Sequence, residues 1–169
     1  NAKARANTFM ANGWNTLFPI STYVQSTDDQ NNYEGKFAGE TAPVFPHLLK
    51  GLKASDIKKT PFGNSILFEF AKAAIEAEKL GAREVCDLLA ISCSSPDYIG
   101  HQFGPNSIEV EDTYLRLDKE IAAFLTYLDT KLGAGNYTCF LTADHGVAHN
   151  PQFLKDVKIP AGYFYSSNL

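Results

Sequence analysis

The chain has 169 residues, of which 44% are hydrophobic and 20% are charged, and its formal net charge is −4. This composition is typical of a globular domain with its own core, and no apolar run approaches the roughly 18 residues of a membrane span. A nucleic-acid polymer is not expected as a partner, because the scattered lysines form no basic stripe that would neutralise a phosphate backbone.

The first 60 residues show weak periodicity and are rich in Asn, Thr, Asp, Gly and Pro, with aromatic residues interspersed. We expect residues 1–60 to form a loop-rich peripheral or inserted segment with one or two short elements. The sequence begins without Met and resembles the interior of a longer protein. The absence of a signal peptide therefore says nothing about location.

Two helices are predicted after residue 60. The first spans residues 64–80, and its apolar face consists of Leu67, Phe70, Ala71, Ala74 and Ile75. The second begins at Asn106 or Ser107, because Asn106 and Glu109 have the spacing of a capping box. Its apolar stripe consists of Tyr114, Leu117, Ile121, Phe124 and Leu128. Each helix is followed by a glycine stop, Gly81 and Gly133 respectively.

Two short apolar runs, residues 87–93 and 137–143, are predicted to be strands. Neither alternates polar and apolar residues, as expected of parallel strands that are covered on both faces. The order helix, strand, helix, strand indicates an α/β fold with a parallel sheet. The chain has three cysteines, Cys86, Cys93 and Cys139, and we expect small core residues rather than a disulfide framework or thiolate zinc ligands.

Each predicted strand is followed by a carboxylate and an imidazole. Asp97 and His101 follow the first strand, and Asp144 and His145 follow the second. Because ligands bind beyond the carboxyl ends of parallel strands, the two pairs are expected to face one crevice. A turn around Gly100 would bring Asp97 and His101 onto one cation. Asp and His are common zinc ligands, so the sequence predicts two neighbouring metal ions.

Simpler interpretations of the same residues exist. An Asp after a strand often caps the next helix, and a His is often a hydrogen-bonded structural residue. His149 follows a predicted turn, and we expect a surface or hydrogen-bonded residue there, with support of a metal ligand as the alternative. His47, next to Pro46, is expected to take no part in the chemistry.

Three segments together resemble a known group of enzymes. They are residues 96–105 (PDYIGHQFGP), residues 114–118 (YLRLD) and residues 141–146 (LTADHG). They resemble the alkaline phosphatase superfamily and, within it, the type I phosphodiesterase/nucleotide pyrophosphatase clan. The helix and its flanks look most like the bacterial phosphate-irrepressible alkaline phosphatases. The resemblance is firm over residues 61–152 and looser before them.

The resemblance implies a doubly wound, mostly parallel sheet with helices on both faces, incomplete in this chain, with residues 61–169 as part of the metal-binding catalytic domain. It implies two Zn²⁺ ions and a small phosphate-ester substrate in a periplasmic or secreted bacterial enzyme. Asp97 and His101 would bind the zinc at the leaving-group oxygen, and Asp144 and His145 the zinc that activates the nucleophile. The family forms a covalent phospho-Thr or phospho-Ser intermediate.

The family takes its nucleophile and a further zinc-binding Asp from a segment upstream, and a zinc-binding His from well downstream. We therefore expect no catalytic nucleophile in this chain, which is interpreted as an inactive internal fragment that needs the rest of its parent chain. Two alternatives stay open. One is a phosphodiesterase or nucleotide pyrophosphatase of the same superfamily, and the other is a non-catalytic binding domain with a degenerate metal site.

Overall fold

The computed structural model describes residues 1–164. The helices are α1 (Ala2–Met10), α2 (Phe62–Glu78), α3 (Ser95–Phe103), α4 (Ile108–Leu132) and α5 (Pro151–Asp156), with two short 3-10 turns at Ile20–Thr22 and Ala54–Lys59. Within this described range, no helix has both the length and the apolar character that crossing a bilayer requires. Residues 165–169, the end of the predicted catalytic segment 61–169, lie outside the described residues.

Helix α4 confirms the second predicted helix and is the longest element. It begins after Ser107, whose Oγ accepts a hydrogen bond from the Val110 N–H at 3.2 Å. Ser107 is therefore the residue that satisfies a free amide of the first turn. Asn106 does not cap the helix, because its side chain is hydrogen-bonded to His149 instead. The helix ends at Gly133, whose φ of 92° is unfavourable for residues with a Cβ.

Helix α2 confirms the first predicted helix, but its buried face differs from the predicted one. The residues that pack against α4 are Phe68, Ala71 and Ile75, which meet Phe124 and Leu128. Phe70, predicted to be in the core, is exposed. The helix begins at Phe62, two residues before the predicted start, and the chain leaves it through Lys79 in the left-handed conformation. The buried face of α2 therefore passes through positions 64, 68, 71 and 75, and not through position 70.

The segment before α2 packs against α3 and α4 through a second apolar cluster. Its buried members are Met10, Trp14, Phe37, Leu49, Ile99 and Phe103. Trp14 and His47 exchange two backbone hydrogen bonds in an isolated antiparallel bridge, with N···O distances of 2.7 and 3.0 Å. These contacts attach the loops of residues 1–60 to α3, the helix that carries Asp97 and His101.

Asp112 on α4 joins this segment to the helix by hydrogen bonds. Its carboxylate accepts from the Trp14 indole N–H at 2.7 Å, from the Leu17 N–H at 2.6 Å and from the Tyr23 hydroxyl at 2.5 Å. The Arg116 guanidinium binds the same carboxylate at 2.6 Å and balances its charge. Burial, together with the hydrogen bond to Asp112, raises the pKa of Tyr23 to about 12. Asp112 is therefore a fully partnered anion at the centre of this contact.

The two predicted strands are not formed among residues 1–164. Residues 87–93 and 137–143 are neither helical nor paired with a strand, and the only bridge in the described range is the one between Trp14 and His47. Leu88 is 83% exposed and Phe140 is 79% exposed. A strand exists only where a neighbour satisfies its backbone groups, and the described residues bring no such neighbour beside either run. The parallel sheet therefore stays a prediction.

The exposure of the cysteines is explained by the same unpaired runs. Cys86 and Cys139 are exposed, so the prediction of core positions was wrong for these two residues, because nothing in the described part of the chain covers the runs beside them. Cys93 is half-buried and packs beside the cluster between α2 and α4. All three are free thiols. Burial, then the Glu120 carboxylate, raises the pKa of the Cys93 thiol.

Candidate metal centre

Asp97 and His101 lie on one face of α3. The turn predicted around Gly100 was wrong, because this segment is helical from Ser95 to Phe103, with Pro96 in the first turn. One helical turn nevertheless places residues i and i+4 side by side. The Asp97 Oδ1 and His101 Nε2 atoms are 3.4 Å apart, and both side chains are open to solvent.

Asp144 and His145 follow the second unpaired run and meet the first pair. His145 Nε2 lies 3.5 Å from Asp144 Oδ2 and 3.9 Å from Asp97 Oδ1. The Asp97 carboxylate therefore lies next to both imidazoles, and the four side chains form one continuous group. The His145 N–H also donates to Asp144 Oδ1 at 3.1 Å, which holds this carboxylate beside its own backbone.

The His145 ring is oriented by its own chain. Its Nδ1 lies 2.9 Å from the Gly146 carbonyl oxygen, so the Nδ1–H donates there. Nε2 then faces two carboxylates, and a proton or a metal cation is needed between these groups to avoid opposing lone pairs. Accordingly, the hydrogen bond to Gly146 and then the negative charges of Asp144 and Asp97 raise the pKa of His145. The arrangement attracts a cation to Nε2.

Asp97, His101 and His145, but not Asp144, line an open pocket of about 260 Å³, which we call the site pocket. Its lining also includes Tyr33, Gln102, His149 and Asn150. Gln102 lies next to His101 on α3, and His149 and Asn150 belong to the stretch that continues from His145, so that of these four Tyr33 alone is remote in sequence from both pairs. Tyr33 in particular comes from the aperiodic first segment, where the sequence carries no signal for such a position.

His149 is hydrogen-bonded, as predicted, and it stands at the wall of the site pocket. Its Nδ1 lies 2.8 Å from Asn106 Oδ1, and its ring stacks on Phe153 with centroids 5.3 Å apart. The structure does not bring it into contact with the four Asp and His residues. His149 therefore contributes to the shape of the pocket rather than to the charged group.

His47 is buried in a separate polar cluster. Its Nδ1 lies 3.2 Å from the Glu40 carboxylate and its Nε2 lies 3.0 Å from Glu109 Oε1. Burial by itself lowers the pKa of His47, but the hydrogen bond and charge of Glu109, with Glu40, outweigh it and raise the pKa. Nearby, burial and then the charge of Glu109 raise the pKa of Glu34 to about 8. This cluster does not border the site pocket.

Among residues 1–164, no group of three or more His, Cys, Asp and Glu side chains has the arrangement of a complete metal site. The group that comes closest to a metal site consists of Asp97 with His101 and Asp144 with His145. Each pair offers a carboxylate and an imidazole, whereas a catalytic zinc site normally takes three protein ligands. The described residues thus provide two carboxylate–imidazole pairs, each with fewer groups than a catalytic zinc site takes.

Comparison with known proteins places these residues in context. The family model described as "Type I phosphodiesterase / nucleotide pyrophosphatase" matches residues 2–162. The chain is 54% identical over 165 residues to the alkaline phosphatase PhoV of Synechococcus elongatus, covering 96% of this chain and 30% of PhoV. It is 55% identical over 170 residues to a Myroides odoratus protein named a calcium-transporting ATPase, covering 97% of this chain and 31% of that protein.

A solved structure shares this fold. The crystal structure of wild-type alkaline phosphatase PafA matches with a TM-score of 0.88 and 45% sequence identity, covering 94% of this chain and 31% of that chain. The chain thus spans about three-tenths of the length of the relatives it matches.

Proposed function

Because the chain belongs to the type I phosphodiesterase/nucleotide pyrophosphatase family, we propose that its parent protein is a two-zinc hydrolase of phosphate monoesters. Its fold is alkaline-phosphatase-like, and it has alkaline phosphatases among its relatives. The observation that carries the proposal is the meeting of Asp97, His101, Asp144 and His145 at 3.4 to 3.9 Å.

The residues present fit zinc in chemistry and spacing. Zinc binds His nitrogen and Asp oxygen at about 2.0–2.2 Å, so two ligands at a tetrahedral angle are about 3.3–3.5 Å apart. The Asp97–His101 and Asp144–His145 separations are 3.4 and 3.5 Å. Each pair therefore has the spacing of one edge of such a tetrahedron, and Asp97, 3.9 Å from His145, keeps the two sites adjacent.

The roles proposed for these residues are those that the resemblance to the alkaline phosphatase superfamily implies. Asp97 and His101 hold the ion on the leaving-group side, and Asp144 and His145 hold the ion on the nucleophile side. When bound, zinc would stabilise the leaving-group oxygen and lower the pKa of the nucleophile. The Gly146 carbonyl keeps the His145 ring in the tautomer whose Nε2 lone pair faces the site.

The remaining parts of the site are proposed to come from outside this chain. They are the Thr or Ser nucleophile of a covalent phospho-enzyme and the third ligand of each zinc. Residues 87–93 and 137–143 are proposed to enter a doubly wound, mostly parallel sheet of the parent, with residues 61–169 in its catalytic domain and residues 1–60 as a peripheral or inserted segment. The parent is proposed to be a periplasmic or secreted bacterial enzyme, acting on small phosphate esters and not on nucleic-acid polymers.

A phosphodiesterase or nucleotide pyrophosphatase is the second candidate, and the description of the matching family favours it. The rates of the full-length parent with zinc on phenyl phosphate and on diphenyl phosphate decide between the two. We expect phenyl phosphate to react at least about 100-fold faster, and a faster diester reaction would reverse the assignment. The isolated chain is expected to hydrolyse neither ester, since it lacks the nucleophile. A parent that hydrolyses neither would favour a non-catalytic binding domain.

A further inference from the structure

A second pocket adjoins the site pocket and carries a different chemistry. Its volume is about 920 Å³, within the range of small-molecule sites, and Tyr33 and Asn150 line both pockets. The two cavities therefore have walls in common. We call the second cavity, whose lining does not include Asp97 or His145, the amide pocket.

Amide and phenol groups dominate the lining of the amide pocket. The residues that contribute them are Gln30, Asn31, Asn32, Tyr33, Asn150, Gln152 and Tyr163. Among the described residues that line it, Asp156 alone is charged, and Gln152 Nε2 donates to Asp156 Oδ1 at 2.8 Å. The lining by residues 1–164 includes no Lys or Arg, so these residues offer no counter-charge to a second phosphate of the ligand. The pocket suits a neutral, polar group.

Hydrogen-bonding capacity remains at the edge of this pocket. The side-chain amides of Gln30 and Asn32 are exposed and make no hydrogen bond within residues 1–164. Gln152 uses its amide N–H on Asp156, which leaves its Oε1 as an acceptor. Amides both donate and accept, and this matches hydroxyl groups, which do the same.

An aromatic wall completes the arrangement. The Tyr33 ring packs edge-on against Phe153, with centroids 6.3 Å apart, and Phe153 in turn stacks on His149. Tyr33 lines both pockets, and its ring is supported by Phe153, which lines neither of them. A held aromatic ring beside free amides offers one apolar surface and several hydrogen-bonding groups to the same ligand.

We propose that the amide pocket binds the sugar portion of a sugar monophosphate while its phosphoryl group lies at the Asp and His group. A sugar ring has apolar C–H groups for the Tyr33 ring and hydroxyls for the amides of Asn32 and Gln152. The proposal deepens the proposed function and rests on it, since the phosphoryl position is that of the hydrolase.

The test compares two esters of the same shape on the full-length parent with zinc. Glucose 6-phosphate carries the hydroxyls, and cyclohexylmethyl phosphate has a six-membered ring without them. We expect kcat/KM to favour the sugar ester by about tenfold, the value of one to two net hydrogen bonds. In Asn32→Ala/Gln152→Ala this ratio is expected to fall about tenfold, and in the matched control Gln25→Ala, exposed and outside both pockets, to stay unchanged.

The outcomes separate the two proposals. The sugar-site proposal alone is overturned if both esters are hydrolysed with the same kcat/KM. It is also overturned if the double variant leaves the ratio of the two kcat/KM values unchanged. If the parent hydrolyses none of the three compounds, neither of the two esters nor phenyl phosphate, then both the hydrolase proposal and the sugar-site proposal are overturned. Both substituted side chains are exposed, so the variants are expected to fold like the wild type, and circular dichroism checks this.

Discussion

At the scale of single residues, the two carboxylates of the candidate metal centre are not equivalent. Asp97 lies within 3.9 Å of two imidazoles and is 42% exposed, whereas Asp144 contacts one imidazole and is 88% exposed. A carboxylate that is placed between both metal positions and is less exposed to water has more influence on them. The difference leads to a ranking of variants.

We expect Asp97→Asn in the full-length parent to lose both zinc ions and to lower kcat/KM on phenyl phosphate by at least about 100-fold. Asp144→Asn is expected to lose one ion and to retain the other. Zinc per protein by atomic emission, measured beside the rates, checks the order. Asp118→Asn on the exposed surface of α4 is the control. Equal zinc contents in the two site variants would contradict the central position of Asp97.

A second prediction at this scale concerns pH and Glu34. Burial and the charge of Glu109 raise the pKa of Glu34 from 4.5 to about 8. A carboxyl with a higher pKa in the folded state holds its proton more tightly there than in the unfolded chain. Its contribution to stability is fully present below pH 4.5, the unfolded value, and is lost as pH rises through about 8.

The free energy of unfolding in urea, measured between pH 5 and 8.5, is expected to fall with pH in the wild type. In Glu34→Gln the fall is expected to be smaller, because the amide keeps the shape and cannot ionise. Glu84→Gln, at an exposed position, serves as the comparison. If the free energy of unfolding falls equally steeply with pH in the wild type and in Glu34→Gln, the ionisation of Glu34 does not destabilise the folded state.

At the scale of elements, the start of α4 depends on one hydroxyl. Ser107 is buried and its Oγ accepts from the Val110 N–H. Ser107→Ala is expected to lower the free energy of unfolding by about 1 kcal/mol, because a buried amide of the first turn loses its acceptor. Ser107→Thr keeps the hydroxyl and is expected to lose less. Urea unfolding of the two variants measures the difference, and an alanine variant as stable as threonine would assign the cap to another group.

The elements also show what the sequence could predict. The helices α2 and α4 were predictable because 17 and 25 residues are long enough for an apolar period to be visible. Helix α3 was predicted as a turn, since it has nine residues and includes both Pro96 and Gly100, which lower helix propensity. Strands 87–93 and 137–143 were predicted from apolar character alone, and a strand also needs a neighbour.

The candidate site also contains residues that the sequence could predict and residues that it could not. Asp97, His101, Asp144 and His145 were found because each pair is local in sequence, and the structure brings the pairs together. Tyr33 lines the same pocket only through tertiary contacts, so no spacing in the sequence could indicate it, whereas Asn150 follows His145 in a continuous stretch that lines the pocket. Local motifs predicted the charged group, and the shape of the pocket required the fold.

At the scale of the whole molecule, the unpaired apolar runs determine how the isolated chain behaves. Leu88 and Leu141 are each 83% exposed. Exposed apolar segments with free backbone groups are prone to associate with one another. We expect the isolated chain to self-associate at micromolar concentration and the variant Leu88→Lys/Leu141→Lys to be monomeric, as measured by sedimentation velocity.

The same two substitutions in the full-length parent are expected to abolish folding, because the runs are proposed to lie inside its sheet. Lys72→Ala on α2, combined with Lys79→Ala at the residue that follows this helix, is a control that leaves both runs unchanged. An isolated wild-type chain that stays monomeric at all concentrations would mean that these runs are covered within the chain itself.

The burial of Trp14 has a practical consequence, because it is the one tryptophan in the sequence. Its indole is fully buried beside Phe37, Phe45 and Phe103 and donates to Asp112 on α4. Its fluorescence therefore reports a single event, the attachment of the first segment to the helices. A red shift of the emission that precedes the loss of helical circular dichroism would show that this segment detaches before the helices melt, and the molecule provides this optical signal without an added label.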